Sequence, residues 1–251
     1  MERLNSRKNA TIQFIRELAR SSDLRRQENC FLCDGEKLLR EALRSGAEVQ
    51  SVLWREDRPE EYEGFPQEYL LTGDLFDYAS PMKNSPGPIF VVKRGGKRQP
   101  ADGGAGVIVL EGVQDPGNVG TVIRTADAFG IGEVILLDGC ADLYAPKTVR
   151  ATMGAIFRQK VLTMRIGEIQ EYCRSRRLKL LGAALSERAE SIEQISLEGA
   201  AVAVGSEGRG LSPALLELCE AEVIIPMSGE AESLNAAVAA AILMWEMRSV
   251  T

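Results

Sequence analysis

The sequence predicts an α/β protein: a mostly parallel sheet with helices on both faces, preceded by a smaller α/β domain. Three observations carry this. From Gly106 onward, short apolar runs alternate with segments of helical periodicity, the pattern of strand–helix units feeding a parallel sheet. The run Val107-Ile108-Val109-Leu110 is continuously apolar, as expected of a strand buried on both faces. Between Lys93 and Gly106 the chain is rich in glycine and charge and poor in anything that builds a core, so it reads as a linker. The predicted organisation is a first domain over 1–94, a linker over 95–105 and a larger domain over 106–251.

In the first domain, Asn9 to Arg20 has helical spacing, with Ile12, Ile15 and Leu18 on one face. Gly35 to Ser45 predicts a second helix with Leu38, Leu39, Ala42 and Leu43 inward, and Val49 to Trp54 and Ile89 to Val92 predict strands. In the larger domain, strands are predicted at Gly106–Leu110, Glu133–Leu137, Gln159–Leu162, Lys179–Ala184, Ala200–Val204 and Glu222–Pro226. Helices are predicted around Val119–Phe129, Pro146–Gly154, Ile166–Arg176, Pro213–Cys219 and Ser233–Arg248. In such sheets ligands bind beyond the carboxyl ends of the strands.

Composition narrows the chemistry. The 251 residues are 45% hydrophobic and 26% charged, a globular balance. No stretch reaches the roughly 18 apolar residues of a membrane span, and Met1 to Ala10 is polar and charged, without the apolar core of a signal peptide. The expectation is a soluble cytoplasmic protein. There is no histidine, which removes every catalytic dyad or triad built on imidazole and every His-containing zinc site. Cys30, Cys33, Cys140, Cys173 and Cys219 are an odd, scattered set, read as reduced thiols without metal. The net charge is −6, unevenly spread: residues 1–100 hold 17 Lys+Arg against 16 Asp+Glu, and 101–251 hold 13 against 20. That permits a phosphate-facing patch in the first domain, and a solvated helical surface explains it equally well.

Three strand-to-loop junctions carry the functional signal. Leu110 to Gly130 ends a buried strand, turns through Pro and Gly, and opens a helix near Asn118. Gly120 lets a backbone or ligand approach, and Arg124 follows by about one turn. Arg124 can project a fixed cation into a cleft or make a structural ion pair. Val202 to Pro213 places Gly205, Gly208 and Gly210 around Glu207, without dinucleotide-fingerprint or P-loop spacing. Glu207 either serves chemistry or bonds nearby N–H groups. Ser212-Pro213 is a helix start. Val223 to Val238 ends a strand at Pro226 and opens a helix of small residues after Ser233 and Asn235, which suits either a site or a capped core helix.

Taken together, Asn118-x-Gly120-x-x-x-Arg124, Gly205-x-Glu207-x-x-Gly210, and Ile225-Pro226-Met227 with Ser233-Leu234-Asn235 resemble, in order and at strand ends, the three motifs of the SpoU (TrmH-like) RNA 2′-O-ribose methyltransferases. Tyr144 to Phe157 is similar to a further family segment, and Phe31 to Leu39 to the family's substrate-binding domain. The departures are mild: Cys33-Asp34-Gly35 in place of Val-Glu-Gly, Thr152 where Ser is commoner, and Ala236-Ala237 where Val-Ser or Val-Ala is commoner.

The resemblance implies a SPOUT fold with a C-terminal trefoil knot, a homodimer with the site at its interface, and S-adenosylmethionine as methyl donor. It implies Gly205, Glu207, Gly210, Ile225, Met227, Ser233 and Leu234 around the cofactor. Asn118, Arg124, Glu207, Ser233 and Asn235 become the catalytic set. Because a guanidinium stays protonated, Arg124 is expected to stabilise developing alkoxide charge while the others orient it and the ribose. Methyl transfer from a sulfonium needs no metal. Candidate RNA contacts are Arg7, Lys8, Arg25 and Arg26, and Lys147 and Arg150 near the cleft. The substrate is rRNA, with 23S preferred, or tRNA; the 2′-OH marks RNA over DNA. The alternatives are a catalytically silent RNA-binding SPOUT protein and a base-methylating SPOUT enzyme.

Overall fold

A computed structural model describes residues 1–57, 64–95, 106–230 and 232–248. Of the expected linker, 96–105 lies outside the described residues. The chain forms two compact units, Met1–Arg98 with Asp142–Phe157, and Gln99–Ala141 with Arg158–Thr251.

The first unit begins β1 (Glu2–Leu4), α1 (Ala10–Arg20), α2 (Ser22–Gln27), β2 (Cys30–Asp34), α3 (Glu36–Arg44), β3 (Val49–Arg55), β4 (Gln67–Leu71), α4 (Gly73–Ala79) and β5 (Ile89–Lys93). The sheet order is β1-β4-β3-β5-β2, with β1, β4 and β3 parallel and β5 antiparallel to both neighbours. Asn9 starts α1 by accepting from the Thr11 N–H at 2.8 Å, which satisfies an otherwise orphan donor. Ile12, Ile15 and Leu18 then pack with Leu4, Leu53 and Phe76. On α3 the inward face is Leu38, Leu39 and Ala42. Leu43, expected inward, is 42% exposed, since it lies one residue beyond that face. The sequence pattern missed β1, β2, β4, α2 and α4: most are short, and β2 is buried along both faces and shows no alternation.

The second unit opens with β6 (Val107–Leu110), α5 (Pro116–Phe129) and β7 (Glu133–Leu136). The chain then contributes Asp142–Phe157 to the first unit, as α6 (Pro146–Ala151) and a 3-10 turn at Ala155–Phe157. Tyr144 packs on Phe31 there, ring centroids 4.8 Å apart. The second unit resumes with β8 (Lys160–Thr163), α7 (Ile166–Arg176), β9 (Lys179–Ala183), β10 (Glu190–Ser191), β11 (Ala200–Val204), α8 (Pro213–Leu216), β12 (Ala221–Ile224) and α9 (Ala236–Met247).

Its seven strands are all parallel, in the order β10-β12-β9-β11-β6-β7-β8. From β6 the chain winds outward through β7 to β8. It then crosses to β9 and inserts β11 between β9 and β6. The direction of winding reverses beside β6 and β11, and a crevice opens at such a switch point. The interior is Val107, Val109, Ile135, Ala201, Ala203 and their neighbours. Alanine at three of five β11 positions lets helices approach closely, and α9, rich in alanine, packs on α5 and β11.

At the start of β7 the buried carboxylate of Glu133 accepts hydrogen bonds from Lys160 Nζ (2.7 Å), Tyr172 and Arg176. Burial opposes its ionisation. The hydrogen bonds from Lys160 and Tyr172 and the charges of Lys160 and Arg176 outweigh that, so the carboxyl titrates below its ordinary range. The unfolded chain therefore binds this proton first as pH falls, and the stability contributed by the ionised group is present above the ordinary glutamate value and lost below it. Acid titration of stability should accordingly fall more steeply for the wild type than for Glu133→Gln between about pH 5 and pH 3. Parallel pH profiles would remove Glu133 from the account.

Candidate active site at the strand ends of the parallel sheet

The loop between β11 and α8 is closed on itself. A Cβ on Gly205 would fall 2.0 Å from the Gly210 carbonyl carbon, 2.1 Å from its oxygen and 2.4 Å from the Leu211 nitrogen, so no other residue fits. Gly210 takes φ +65°, a conformation glycine adopts without strain. Its N–H donates to the Ser206 carbonyl at 2.9 Å.

Both ends of this loop hang on Glu111, the first residue after β6. Its backbone N–H donates to the Val204 carbonyl at 3.0 Å. Its carboxylate accepts from the Ser212 N–H at 2.8 Å and the Ser212 hydroxyl at 2.7 Å. Ser212 Oγ also accepts from the Leu215 N–H at 3.2 Å, capping α8. Sequence reasoning passed over Glu111; the available signal was a carboxylate set directly against a fully apolar strand.

Glu207 rides on this loop. Asn118 Nδ2 donates to Glu207 Oε1. Asn235 Nδ2 donates to Asn118 Oδ1 at 3.3 Å and, more weakly, to Glu207 Oε1 at 3.5 Å. Asn235 Oδ1 meanwhile accepts from the Ala237 and Val238 N–H groups at 2.9 and 3.3 Å, capping α9. At α5 the helix starts earlier than the sequence suggests: Asp115, not Asn118, is the cap, accepting from the Asn118 N–H at 2.9 Å. That substitution of caps frees the Asn118 amide for Glu207. The structure thus brings Asn118, Glu207 and Asn235 together from the three junctions. Arg124 is exposed on α5 and has no hydrogen-bond or ion-pair partner among the described residues. Ser233 is exposed and belongs to the cleft described next.

A cleft of about 440 Å³ lies at the carboxyl ends of β9, β11 and β12, within the usual range for small-molecule sites. Gly205, Glu207, Gly210, Ile225, Met227, Ser233 and Leu234 all line it. So do Leu185, Ser186 and Glu222, which sequence reasoning did not select. A second, apolar recess joins Asn118, Thr121 and Phe129 of α5 to Asn235, Val238, Ile242 and Trp245 at and along α9. Trp245 is 49% exposed there and meets Phe129 edge-on at 5.6 Å.

In the first unit, Arg7, Lys8, Arg26, Lys147 and Arg150 are exposed. Arg7 stacks over Tyr78 at 4.5 Å, and Arg26 pairs with Asp23. Lys147 and Arg150 belong to this unit through α6. Arg25 requires a correction: it is buried, holds Asp142 at 2.6 Å and donates to the Leu18 carbonyl at 2.6 Å. Its donors are spent inside the fold, so it is no surface phosphate contact. The five cysteines are free thiols. Burial pushes Cys30 and Cys173 up to about 11 and Cys219 to about 12, so they stay protonated at neutral pH and pack as apolar groups.

Residues 105–245 match the model of the SpoU rRNA methylase family. This chain belongs to that family. A 23S rRNA (guanosine(2553)-2′-O)-methyltransferase, RlmP, of Bacillus subtilis is 36% identical over 99% of this chain and 100% of its own length. A 23S rRNA (uridine(2479)-2′-O)-methyltransferase of Streptomyces viridochromogenes is 33% identical over 55% of this chain and 50% of its own. Among solved structures, the SpoU methyltransferase AviRb of Streptomyces viridochromogenes, in complex with the cofactor AdoMet, superposes with TM-score 0.82 at 27% identity, covering 96% of this chain and 97% of that one. An RNA 2′-O ribose methyltransferase gives TM-score 0.81 at 29% identity over 98% and 97%. The parallel sheet is thus that of the SpoU/TrmH members of the SPOUT class.

For this SpoU chain the closed loop makes a sharp contrast between neighbouring glycines. Gly205→Ala should lose about 2 kcal/mol or more to forced overpacking. Gly208→Ala, where a Cβ meets nothing within 4 Å, should be close to neutral. Denaturant midpoints of the two variants decide it, and equal midpoints would contradict the closed loop.

Proposed function

We propose that this chain transfers a methyl group from S-adenosylmethionine to a ribose 2′-OH of ribosomal RNA, with 23S rRNA as the substrate class, and that it acts in the cytoplasm as a homodimer. The observation that carries the reaction is the meeting of Asn118, Glu207 and Asn235, with Glu207 also lining the cleft. End-to-end similarity to a 23S rRNA 2′-O-methyltransferase supports the substrate. No helix among the described residues is long and apolar enough to cross a membrane.

The cleft fits the cofactor on its own chemistry. Its walls are largely small and apolar and its rim is the glycine backbone of the closed loop. The residues that would hold the cofactor are Gly205, Glu207, Gly210, Ile225, Met227, Ser233 and Leu234. When bound, S-adenosylmethionine supplies a methyl group activated on a sulfonium. The chain's own task is to orient the ribose and stabilise charge on its oxygen. Glu207 accepts from both asparagine amides, which fixes their carboxamides for a sugar hydroxyl. Ser233 offers a further hydroxyl at the cleft. Arg124 is a permanent cation and would stabilise the developing alkoxide, a role typically worth about 10²–10³ in rate.

The placement of Arg124, outside the asparagine–glutamate network of its own chain, supports a site completed by a second copy. The exposed apolar recess along α5 and α9 beside Asn118 and Asn235 supplies the face. The trefoil knot implied by the family resemblance, RNA contacts by Arg7, Lys8 and Arg26 in a substrate-binding domain over 1–94 and by Lys147 and Arg150 of 106–251, and the linker that joins the two, are part of this proposal.

Transfer of labelled methyl from S-adenosylmethionine to total RNA from a strain lacking the gene, with nucleosides identified, tests the reaction. Labelled 2′-O-methylnucleosides in 23S rRNA are expected; label in a base, or none with cofactor and RNA bound, contradicts it. Arg124→Ala and Asn118→Ala should each lose about a hundredfold in turnover. Co-expressed, they should recover about a quarter of wild-type activity through mixed dimers that hold one intact site. Retention of more than about a tenth by Arg124→Ala alone would exclude the charge-stabilising role, and absence of complementation would place Arg124 in its own chain's site.

A further inference from the structure

Glu222 is an ionisable side chain on the cleft wall that none of the three motifs includes. Among the described residues lining the cleft, the carboxylates are Glu207 and Glu222 and the cation is Arg209. Glu222 lies on β12 opposite Gly182 of β9. That neighbouring position is packed tight: a Cβ on Gly182 would stand 3.1 Å from both Cys219 Sγ and Leu216 Cδ2. A half-buried carboxylate on an apolar wall is unfavourable unless something donates to it.

One donor is present. Ser186 Oγ gives its proton to Glu222 Oε2 and itself accepts from the Arg188 N–H at 3.3 Å. The serine is therefore used on both sides and holds the carboxylate in place. Glu222 Oε1 has no hydrogen-bond partner among the described residues. An oriented carboxylate with one oxygen unspent, in a cleft otherwise walled by Ala183, Ala184, Leu185, Val223 and Ile224, is built to accept hydrogen bonds from a ligand.

We infer that Glu222, oriented by Ser186, is a cofactor-recognition subsite that accepts from a hydrogen-bond donor of S-adenosylmethionine, either its ribose diol or its α-ammonium. This rests on the cofactor reading above. Charge points the same way. The methyl donor carries a sulfonium and an ammonium against one carboxylate, net positive; the demethylated product is net neutral. Two carboxylates and one guanidinium on the cleft wall complement the donor better than the product, which would help product leave after transfer.

Glu222→Gln separates recognition from structure, because glutamine keeps the shape and an oxygen for the Ser186 hydroxyl while losing the charge. Calorimetry with S-adenosylmethionine and 5′-methylthioadenosine on the full chain is the test. Affinity for S-adenosylmethionine should fall roughly tenfold or more in Glu222→Gln, with the melting temperature held. An equal loss for 5′-methylthioadenosine assigns the contact to the ribose diol. An unchanged affinity for it assigns the ammonium. Ser186→Ala, which leaves the carboxylate but frees it to turn, should lose less. Binding of S-adenosylmethionine by Glu222→Gln within twofold of wild type overturns the subsite. Failure of the wild type to bind S-adenosylmethionine would overturn the cofactor reading itself, and the subsite with it.

Discussion

The site depends on one residue, Glu111, holding two ends of one loop. Glu111 ties the end of β11 through its backbone and the start of α8 through its side chain. The seven residues in between can then close so tightly that Gly205 has no room for a side chain. Charge-assisted bonds from a carboxylate to an N–H and a hydroxyl are among the stronger polar contacts, and here they join the end of β6 to the start of α8. Everything downstream inherits its position from that closure: the backbone rim of the cleft, and the reach of Glu207 to Asn118 and Asn235.

The parallel sheet explains why the three motifs meet although they are far apart in sequence. All seven strands point the same way, so every strand-to-helix turn emerges at one edge. Inserting β11 between β9 and β6 puts the second motif next to the first. Asn235 completes the network from the start of α9, a helix of small residues packed on α5. The price of such convergence is exposed polar side chains, and the three are satisfied mainly by one another.

Much of this was legible in the sequence because the signals were local. Continuous apolar runs marked β6, β7 and β11; helical spacing marked α1 and α7; and three glycine- or proline-rich junctions marked the cleft. What was illegible depends on tertiary context. The cap of α5 falls on Asp115 because Pro116 takes the first helical position, and Asn118 is released for the site. Arg25 looks like any surface arginine in a charged helix, yet Asp142, far along the chain, draws it inside. Segment 142–157 reads as one more helix of the larger domain, but its packing groups it with the first unit. Glu111 and Glu222 carry no motif. Only the positions of Ser212 and Ser186 in space give them roles.

The most direct test of the central claim is Glu111→Ala, measured for S-adenosylmethionine affinity by calorimetry and for amide exchange across 205–212. If Glu111 closes the loop that forms the cofactor rim, affinity should fall roughly tenfold or more. Amides of the loop should exchange faster while those of β6 and β11 stay protected. Affinity within twofold of wild type, with loop exchange unchanged, would contradict the account.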